Sequence, residues 1–371
     1  MNASVVDLRS DTVTRPTPGM RNAMAAAEVG DDVIDVDPTV DRLEKNIAER
    51  LGKESAIYMP SGTMTNQVAI RIHCKPGDEF LCEENCHVYN YEQGAFAQLS
   101  GVVARPVSGT DGVLVKQQLV DRVRPENDHQ VRTRLVCLEN THNRAAGRIQ
   151  PYEVVEEICQ WAHTRGLRTH LDGARLFNAV VATGIEAADW SRHFDTVSVC
   201  FSKGLGAPVG SALAGPRELI VEARRHRKVL GGGMRQAGII AAGALYALEH
   251  HVRRLVYDHQ HAQILAQAVR DSAGLTLRPD QVDTNMVIFE VDPAHATAAD
   301  FAQRSARRGV LILPVSRQRV RVVTHLDVDQ ADVVRAGEVI RQVADELASI
   351  CRGRAGSSLA HSGAQSEHTH D

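Results

Sequence analysis

The sequence predicts an α/β protein with two domains: a large domain built on a mainly parallel sheet, followed by a smaller α+β domain. Three observations favour this class: the length of 371 residues, an apolar content of 43%, and short apolar runs that alternate with amphipathic stretches. A chain of this length readily folds as two domains with a sizeable core. Strands that alternate with helices are typical of a parallel sheet wrapped by helices.

The N-terminal half of the chain carries this alternation. Residues 1–16 are predicted to form an arm, and the turn at 15–19 leads into a helix at 20–27. An acidic loop at 30–39 precedes a helix at 40–51, for which Thr39 is the predicted cap. The elements predicted after it are strand 56–59, helix 64–73, strands 79–82 and 102–106, helix 114–123, strand 134–139, helix 152–164, strand 168–172, helix 177–182, strands 196–201 and 210–214, and helix 216–230.

The C-terminal part has a different pattern. One long helical stretch is predicted at 235–271, followed by strands near 286–290, 310–313 and 320–324 and helices at 298–308 and 330–350. We therefore place the large domain at 17–252 and the small domain at 253–351. Residues 352–371 are rich in Ser, Gly, Ala and His without an apolar period, which predicts a disordered tail.

Composition excludes several classes of function. A formal net charge of -4 provides no general surface for nucleic acid or an anionic membrane. The first residues lack a basic segment followed by an apolar core, and the longest apolar stretch, 237–248, is too short to span a bilayer, so we expect neither a signal peptide nor a membrane anchor. Seven cysteines, an odd number, favour reduced thiols in a cytoplasmic protein.

One small cluster has metal-ligand residue types. Cys82, Cys86 and His87 lie close together in the sequence, but no second pair completes a tetrahedral zinc site. We therefore expect no metal, and a functional His87 with cysteines that take no part.

Lys203 lies at the end of a predicted strand. The apolar run at 196–201 stops before it, and a turn rich in Gly and Pro follows at 204–210. Ligands in open α/β sheets bind beyond the carboxyl ends of the strands, and a desolvated lysine forms Schiff bases. A solvated loop lysine remains the commoner interpretation of Ser-Lys-Gly by itself.

Asp172 ends another predicted strand about thirty residues upstream. A carboxylate and a lysine at neighbouring strand ends are the arrangement that pyridoxal 5'-phosphate requires, because the carboxylate keeps the pyridine nitrogen protonated and the lysine holds the aldehyde. Ser61-Gly62-Thr63 opens a helix, where backbone donors suit a phosphate, although such a tripeptide is usually only a cap. His87 follows a strand and is suited to stack on the ring; alone, it is more often structural.

Several motifs together carry a resemblance to a known family. They are LRSDTVTRP (8–16), DPTV (37–40), LENTHN (138–143), DGAR (172–175), SKGLGAPVG (202–210), GGGMRQ (231–236) and VTHLD (323–327). In this order, from about residue 7 to about residue 350, the chain resembles the low-specificity L-threonine aldolases. The resemblance implies fold type I of the pyridoxal phosphate enzymes, with a seven-stranded sheet, and a homotetramer whose active sites lie between paired subunits.

The resemblance also implies residue roles. Lys203 is the internal aldimine lysine, Asp172 the pyridinium partner, and His87 the residue that stacks on the ring. Arg235, contributed by the same or the other subunit, holds the phosphate with the helix start. The full implied cofactor set is Ser61, Gly62, Thr63, His87, Asp172, Arg175, Ser202, Lys203 and Arg235.

The implied substrate is a β-hydroxy-α-amino acid held by its carboxylate. Ser10, Arg175 and Arg321 bind that carboxylate, since a planar guanidinium matches it in two hydrogen bonds. His129 takes the place of a histidine near the substrate hydroxyl. The acidic loop departs from the family pattern, with Ile34 and Asp35 where an aromatic residue and a glycine are usual. Because the aromatic residue reaches the substrate region, Ile34 makes the side-chain preference of this chain an open question.

The implied reaction is cleavage of the Cα–Cβ bond of L-threonine, L-allo-threonine and related amino acids to glycine and an aldehyde, through an external aldimine. The base at the β-hydroxyl is His87, His129 or a water molecule. Two alternatives on the same fold use the same Lys203 and Asp172: a different pyridoxal phosphate lyase that performs β-elimination, and an aminotransferase.

Overall fold

The structure is a computed structural model and describes residues 5–362. The strands are β1 (Val6–Asp7), β2 (Ser55–Met59), β3 (Asp78–Glu83), β4 (Val103–Val107), β5 (Arg132–Glu139), β6 (Arg168–Gly173), β7 (Thr196–Cys200), β8 (Ser211–Gly215), β9 (Leu275–Leu277), β10 (Met286–Val291), β11 (Val310–Leu311), β12 (Leu313–Pro314) and β13 (Arg319–Val323).

The helices alternate with these strands. They are α1 (Pro18–Ala25), α2 (Pro38–Arg50), α3 (Gly62–His73), α4 (His87–Asn90), α5 (Ala95–Ser100), α6 (Lys116–Val120), α7 (Tyr152–Thr164), α8 (Leu176–Thr183), α9 (Ala187–Ser191), α10 (Arg217–Val229), α11 (Gly238–His250), α12 (Leu255–Arg270), α13 (Ala298–Arg307) and α14 (Gln330–Ser362). Single 3-10 turns lie at Asp11–Val13 and Asn143–Ala145.

The large domain is a seven-stranded sheet in the order β2-β8-β7-β6-β5-β3-β4. Only β8 runs against the other strands. β7 and β8 are buried along their whole length, as central strands with helices on both faces require. Alternate residues of β2 reach opposite cores: Ile57 packs in the cluster that contains α3 and α10, and Tyr58 in the cluster that contains α2 and α11.

The small domain is a four-stranded antiparallel sheet in the order β12-β13-β10-β9. Helices α12, α13 and α14 pack on it through one apolar cluster. The N-terminal arm joins this cluster, because β1 pairs in parallel with β11 and both Val6 and Leu8 are buried there. The arm therefore runs from the small domain toward the carboxyl edge of the large sheet.

The predicted alternation of strands and helices is confirmed, and several details differ. The stretch 235–271 is two helices, α11 and α12, rather than one. Helix α2 begins at Pro38 and is capped by Asp37, whose side chain accepts from the backbone N–H of Thr39 and of Val40 at 3.0 Å each, so Thr39 is not the cap. Strand β9 and the short helices α4, α5 and α9 were not predicted.

The predicted tail at 352–371 is wrong in its first part, because α14 continues through Ser362. The remainder of the tail, 363–371, lies outside the described residues. The domain boundary at 252/253 stays a prediction: Leu255 packs with the large-domain core and Leu265, on the same helix, with the small-domain core. Within residues 5–362, no helix has the length and apolar character that crossing a bilayer requires.

Candidate active site

A cavity of about 150 Å³ lies where β3, β5, β6 and β7 end and the small domain begins. Polar and charged side chains make up almost all of its wall, and they come from the arm, the large sheet and β13. The lining residues are Ser10, Thr12, His87, Glu139, Asn143, Asp172, Ala174, Arg175, Lys203 and Arg321. The structure thus brings together six residues predicted from the sequence, which are Ser10, His87, Asp172, Arg175, Lys203 and Arg321.

Lys203 and Asp172 lie at the carboxyl ends of two adjacent parallel strands. Asp172 pairs with Ser198 across β6 and β7, and Lys203 comes three residues after the end of β7. The backbone turn around Lys203 is closed by a hydrogen bond from Gly206 N to its carbonyl at 2.8 Å, and Gly206 has a φ of 78°, which favours glycine. Among the residues that the structure describes, Lys203 Nζ has no hydrogen-bond or ion-pair partner.

Asp172 is held as a carboxylate. Burial alone raises its pKa, but the positive charges of His87 and Lys203 and a hydrogen bond from Asn66 outweigh burial, so the pKa lies below its usual value. Asn66 Nδ2 donates to Oδ2 at 2.8 Å, and the backbone N–H of Ala174 donates to Oδ1 at 3.1 Å. An ionised carboxylate at this strand end is suited to accept a hydrogen bond from a cationic ring.

His87 is fixed from two sides. Its backbone N–H donates to Glu139 Oε2 at 2.7 Å, and its ring Nδ1 lies 2.9 Å from Glu92 Oε1. Burial lowers the pKa of His87, but the hydrogen bond to Glu92 and the charge of Asp172 outweigh burial and raise it overall. Since Nδ1 is engaged, Nε2 is the ring atom left for a bound group.

Glu92 is the centre of a buried hydrogen-bond network. Its Oε1 accepts from Asn66 Nδ2 at 2.9 Å as well as from His87, and its Oε2 accepts from Gln67 Nε2 at 2.5 Å. Asn66 links this network to Asp172, and its Oδ1 accepts from Ser198 Oγ at 2.8 Å. The ligand atoms of His87, Glu92 and Asp172 lie within 4.8 Å of one another, and each already has a hydrogen-bond partner.

Arg175 is paired with a carboxylate of the arm. Its Nε and Nη2 donate to the two oxygens of Asp11 at 2.7 Å each, and both side chains are buried. Burial raises the pKa of Asp11, but the charge and hydrogen bonds of Arg175 outweigh burial and hold the pKa well below its usual range. One edge of the Arg175 guanidinium is therefore occupied, and its Nη1, 3.3 Å from Asn143 Oδ1, remains toward the cavity.

Arg321 enters the cavity from β13 of the small domain. Its Nη1 donates to Asn143 Oδ1 at 3.1 Å and its Nη2 to the carbonyl of Arg9 at 3.2 Å. Its Nε is buried and has no hydrogen-bond partner within the described part of the chain. Burial, and then the nearby charge of Arg175, lower the pKa of Arg321 to about 10, so it is still cationic at neutral pH. Two guanidinium groups in one small cavity indicate an anionic ligand.

The N-terminus of α3 borders the same strand ends. Ser61 caps the helix, and its hydroxyl accepts from Met64 N at 3.2 Å. The first N–H groups of a helix have no intrahelical acceptor. A side chain at Gly62 would come within 2.7 Å of Cys200 Sγ, so only glycine lets the helix start approach the end of β7 this closely. Ser202 is partly buried between Cys200 and Lys203, and neither it nor the α3 start lines the cavity itself.

Three further predicted site residues lie away from the cavity of their own chain. His129 is exposed in the loop before β5, and Glu139, at the other end of that strand, lines the cavity. An eight-residue strand spans roughly 25 Å, so His129 does not reach the cavity of its own chain. Arg235 is 52% exposed, and its side chain pairs at 3.0 Å with Asp31 of the acidic loop. Ile34, in that loop, is 80% exposed.

Sequence reasoning missed five residues that form the site. Asp11 lies within the recognised motif LRSDTVTRP, in which only Ser10 was given a role. Asn143 and Glu139 lie within LENTHN, in which no residue was given a role. Asn66 and Glu92 had no signal in the sequence, because a mid-helix amide and a loop carboxylate reveal a role only when the fold brings them to Asp172 and His87.

A mainly parallel sheet of this order, with a lysine and a buried carboxylate at adjacent strand ends and arginines opposite them, is the arrangement of a fold type I enzyme. Known proteins agree. The model of the β-eliminating lyase family matches residues 7–292. The low specificity L-threonine aldolase of Escherichia coli K12 is 44% identical over 329 residues, covering 88% of this chain and 95% of that protein.

A second relative supports the same family, and a solved structure supports the fold. Low-specificity L-threonine aldolase 1 of Arabidopsis thaliana is 40% identical over 333 residues, covering 88% of this chain and 93% of that protein. The solved structure of Leishmania major threonine aldolase superposes with a TM-score of 0.78 at 20% identity, covering 91% of this chain and 99% of that one. The chain belongs to the low-specificity L-threonine aldolase family, within the β-eliminating lyases.

Proposed function

We propose that this protein is a pyridoxal phosphate-dependent aldolase that cleaves the Cα–Cβ bond of L-threonine, L-allo-threonine and related β-hydroxy-α-amino acids to glycine and an aldehyde. One observation carries the proposal: Lys203 and Asp172 line the same cavity as Arg175 and Arg321. The first pair suits the cofactor, and the second pair suits the carboxylate of an amino acid.

The residues present fit pyridoxal phosphate. At the start of α3, a side chain at position 62 would crowd Cys200, so glycine leaves the backbone accessible there. The free N–H groups of this helix start are suited to bind a phosphate. Asp172 is ionised and would accept a hydrogen bond from the protonated pyridine nitrogen of the bound cofactor. Lys203 Nζ has no hydrogen-bond or ion-pair partner among the described residues and would hold the aldehyde. Bound pyridoxal phosphate supplies an aldehyde for an amino group and a ring that accepts the electrons of the broken bond.

Arg321 and Arg175 orient the substrate through its carboxylate. The buried Nε of Arg321 has no hydrogen-bond partner among residues 5–362, and a carboxylate oxygen would supply one. Because Asp11 holds one edge of Arg175, the Nη1 side of that guanidinium is the part that faces the substrate. Fixing the carboxylate fixes the orientation of the bonds at Cα, so this contact would select which bond breaks as well as which substrate binds.

His87 is the group of this chain placed to move a proton. Its Nδ1 is committed to Glu92, so in the neutral ring Nε2 is the atom that accepts the proton of the β-hydroxyl, directly or through a water molecule. His129 of the same chain is excluded from this task by its distance along β5.

The test is aldehyde release by the purified protein with pyridoxal phosphate. We expect acetaldehyde from threonine and allo-threonine and benzaldehyde from phenylserine. Lys203→Ala is expected to abolish release and the absorbance of the bound imine. Lys45→Ala, at an exposed lysine paired with Asp41, serves as the matched control and should retain both. Pyruvate from serine without aldehyde, or consumption of a keto acid, would instead identify β-elimination or amino transfer.

We further propose a homotetramer in which a second subunit completes each site. The support is the exposure of two apolar residues of the acidic loop, Ile34 and Val36, the latter by 53%, since apolar residues grouped at a surface mark interfaces. Arg235, which pairs with Asp31 of that loop, is exposed beside them. Mixing inactive Lys203→Ala with inactive Arg235→Ala protein tests this arrangement. Recovered activity in the mixture supports shared sites, and its absence, with a monomer by light scattering, contradicts them.

We propose a cytoplasmic location, with the small substrate and further copies of the chain as partners and neither nucleic acid nor a membrane among them. The support is that the seven cysteines are free, six of them buried, as suits a reducing compartment. Fractionation of the source cells followed by detection of the protein tests the location.

A further inference from the structure

A second cavity, of about 180 Å³, lies between the two domains beside the active-site cavity. The large domain contributes His142 and Arg144 from the loop after β5, and Asp111 and Gly112 from the loop after β4. The small domain contributes Arg278 and Arg319. None of these residues lines the active-site cavity, so the proposed reaction leaves this second cavity unassigned.

The wall of this cavity carries excess positive charge. Arg144, Arg278 and Arg319 line the cavity together with one carboxylate, that of Asp111. The Nη2 of Arg144 donates to the carbonyl of Val315 at 3.1 Å, a neutral acceptor that leaves its charge uncompensated. Arg278 pairs with Glu290 at 3.1 Å, but both side chains are exposed by about a third or more, where an ion pair is weak. In the chain from residue 5 to 362, the side chain of Arg319 has no hydrogen-bond or ion-pair partner.

A buried histidine adds an unsatisfied polar atom to the wall. The His142 side chain is 1% exposed and its Nε2 lies 2.9 Å from Glu83 Oε2, whereas its Nδ1 has no partner in the described residues. Burial lowers the pKa of His142, but the charges of Glu139 and Glu83 outweigh burial and raise it, so both ring nitrogens act as donors when the ring is charged. A Cβ atom at Gly112 would lie 2.8 Å from Nδ1, which places Nδ1 against the part of the wall that Gly112 forms.

We propose that this cavity is a binding site for a small phosphate-type dianion that bridges the two domains through Arg144, Arg278 and Arg319. Arginine forks match the oxygens of a phosphate in paired hydrogen bonds, and a phosphate oxygen supplies the acceptor that His142 lacks. The cavity is smaller than the roughly 300 Å³ at which sites for drug-sized ligands begin, so it suits a phosphate ion or a short phosphomonoester and not a nucleotide.

Binding of a dianion in this cavity affects the active site through one residue, Asn143. Asn143 lies between His142 and Arg144, and its Oδ1 accepts from both Arg175 and Arg321 in the active-site cavity. A dianion that fixes the residues on either side of Asn143 therefore alters how the substrate carboxylate is held. The expected consequence is a change in KM for the amino acid with little change in kcat.

The test is isothermal titration calorimetry with inorganic phosphate and, in a second arm, glycerol 3-phosphate, with ionic strength held constant by sodium chloride. The protein is saturated with pyridoxal phosphate beforehand so that the cofactor's own phosphate site is filled. The variants are Arg319→Gln, alone and combined with Arg278→Gln. Arg225→Gln, at an exposed arginine outside both cavities, is the matched control.

The wild-type protein and Arg225→Gln should bind phosphate saturably, and the double variant should bind at least tenfold more weakly. Tighter binding of glycerol 3-phosphate would identify a phosphomonoester as the ligand, and tighter binding of inorganic phosphate would identify the free ion. If the double variant fails to fold, Arg319→Gln decides, because within the described residues the wild-type side chain has no hydrogen bond or ion pair to lose. No saturable heat above matched chloride, or equal affinity in Arg319→Gln and the control, overturns the proposal.

Discussion

The sharpest prediction concerns Glu92, whose replacement by glutamine removes one charge and almost no volume. The carboxylate accepts from His87 and Asn66 at one oxygen and from Gln67 at the other. A glutamine keeps one acceptor for His87 and Asn66 and turns an N–H₂ group toward Gln67. The Gln67 Oε1 atom is buried and lacks a partner in the described chain, so a flip of the Gln67 amide accommodates the new donors.

The expected effect is on the proton affinity of His87. A hydrogen bond to a charged acceptor is worth about 1.5–3 kcal/mol and one to a neutral acceptor about 0.5–1.5 kcal/mol, so the variant loses about 1 kcal/mol of stabilisation of the imidazolium. That is roughly a fivefold drop in proton affinity. The pKa of His87 is raised by folding, so its contribution to stability is present below the unfolded value of 6.5 and is lost as pH rises through the folded pKa. The stability difference between wild type and Glu92→Gln should therefore be largest in acid.

The assays are an NMR titration of the His87 ring and the pH dependence of kcat/KM. In Glu92→Gln both should move to lower pH, while Glu157→Gln, which removes an exposed charge paired with Lys116, should leave both unchanged. Glu92→Ala should instead lower overall stability by about 1–3 kcal/mol, because the amide of Gln67 loses its acceptor in the interior. A His87 titration that is the same in wild type and Glu92→Gln would refute the role assigned to Glu92.

Three further predictions follow. Asp11→Asn should destabilise the protein by about 3–5 kcal/mol in urea unfolding, because it leaves Arg175 buried and unpaired, whereas Asp7→Asn in the same arm, at an exposed pair, should cost about 1 kcal/mol or less. Folding lowers the pKa of Asp11, so its stabilisation is present above the unfolded value of 3.8 and is lost as pH falls toward the folded pKa; in an acid titration of stability, Asp11→Asn should lack that loss. Gly62→Ala should weaken cofactor binding at least tenfold by absorbance titration, and Cys200→Ala in the same chain should restore part of it by removing the sulfur that the new Cβ meets.

Much of the fold was predictable because its signals are local. Buried parallel strands give continuous apolar runs, and the turn glycines after β7 mark where the strand stops. The direction of β8 was not predictable, since one antiparallel strand in a parallel sheet has the same apolar pattern as its neighbours. The break between α11 and α12 was equally hidden, because the residues between them, 251–254, include neither Gly nor Pro.

The site was predictable where a residue type has few uses. A lysine and an aspartate at successive strand ends point to one cofactor, and both line the cavity. The partner of Arg175 was not predictable, since Asp11 is separated from it by 164 positions and meets it only through the path of the arm. His129 lies away from the cavity of its own chain for a related reason. It is close to LENTHN in the sequence, but it precedes the amino end of β5, whereas the cavity lies at the carboxyl end of that strand.

The arm explains how two arginines from different domains come to hold one carboxylate. Its strand β1 pairs with β11 of the small domain, and its next residues supply the carbonyl of Arg9 to Arg321 and the carboxylate of Asp11 to Arg175. Any shift of the small domain relative to the large sheet therefore moves Arg321 together with the arm. The same shift changes the position of Asp11 relative to Arg175. Recognition of the substrate carboxylate therefore depends on the relative position of the two domains. Mutations in β1 and β11 should act on it by changing the position of the arm.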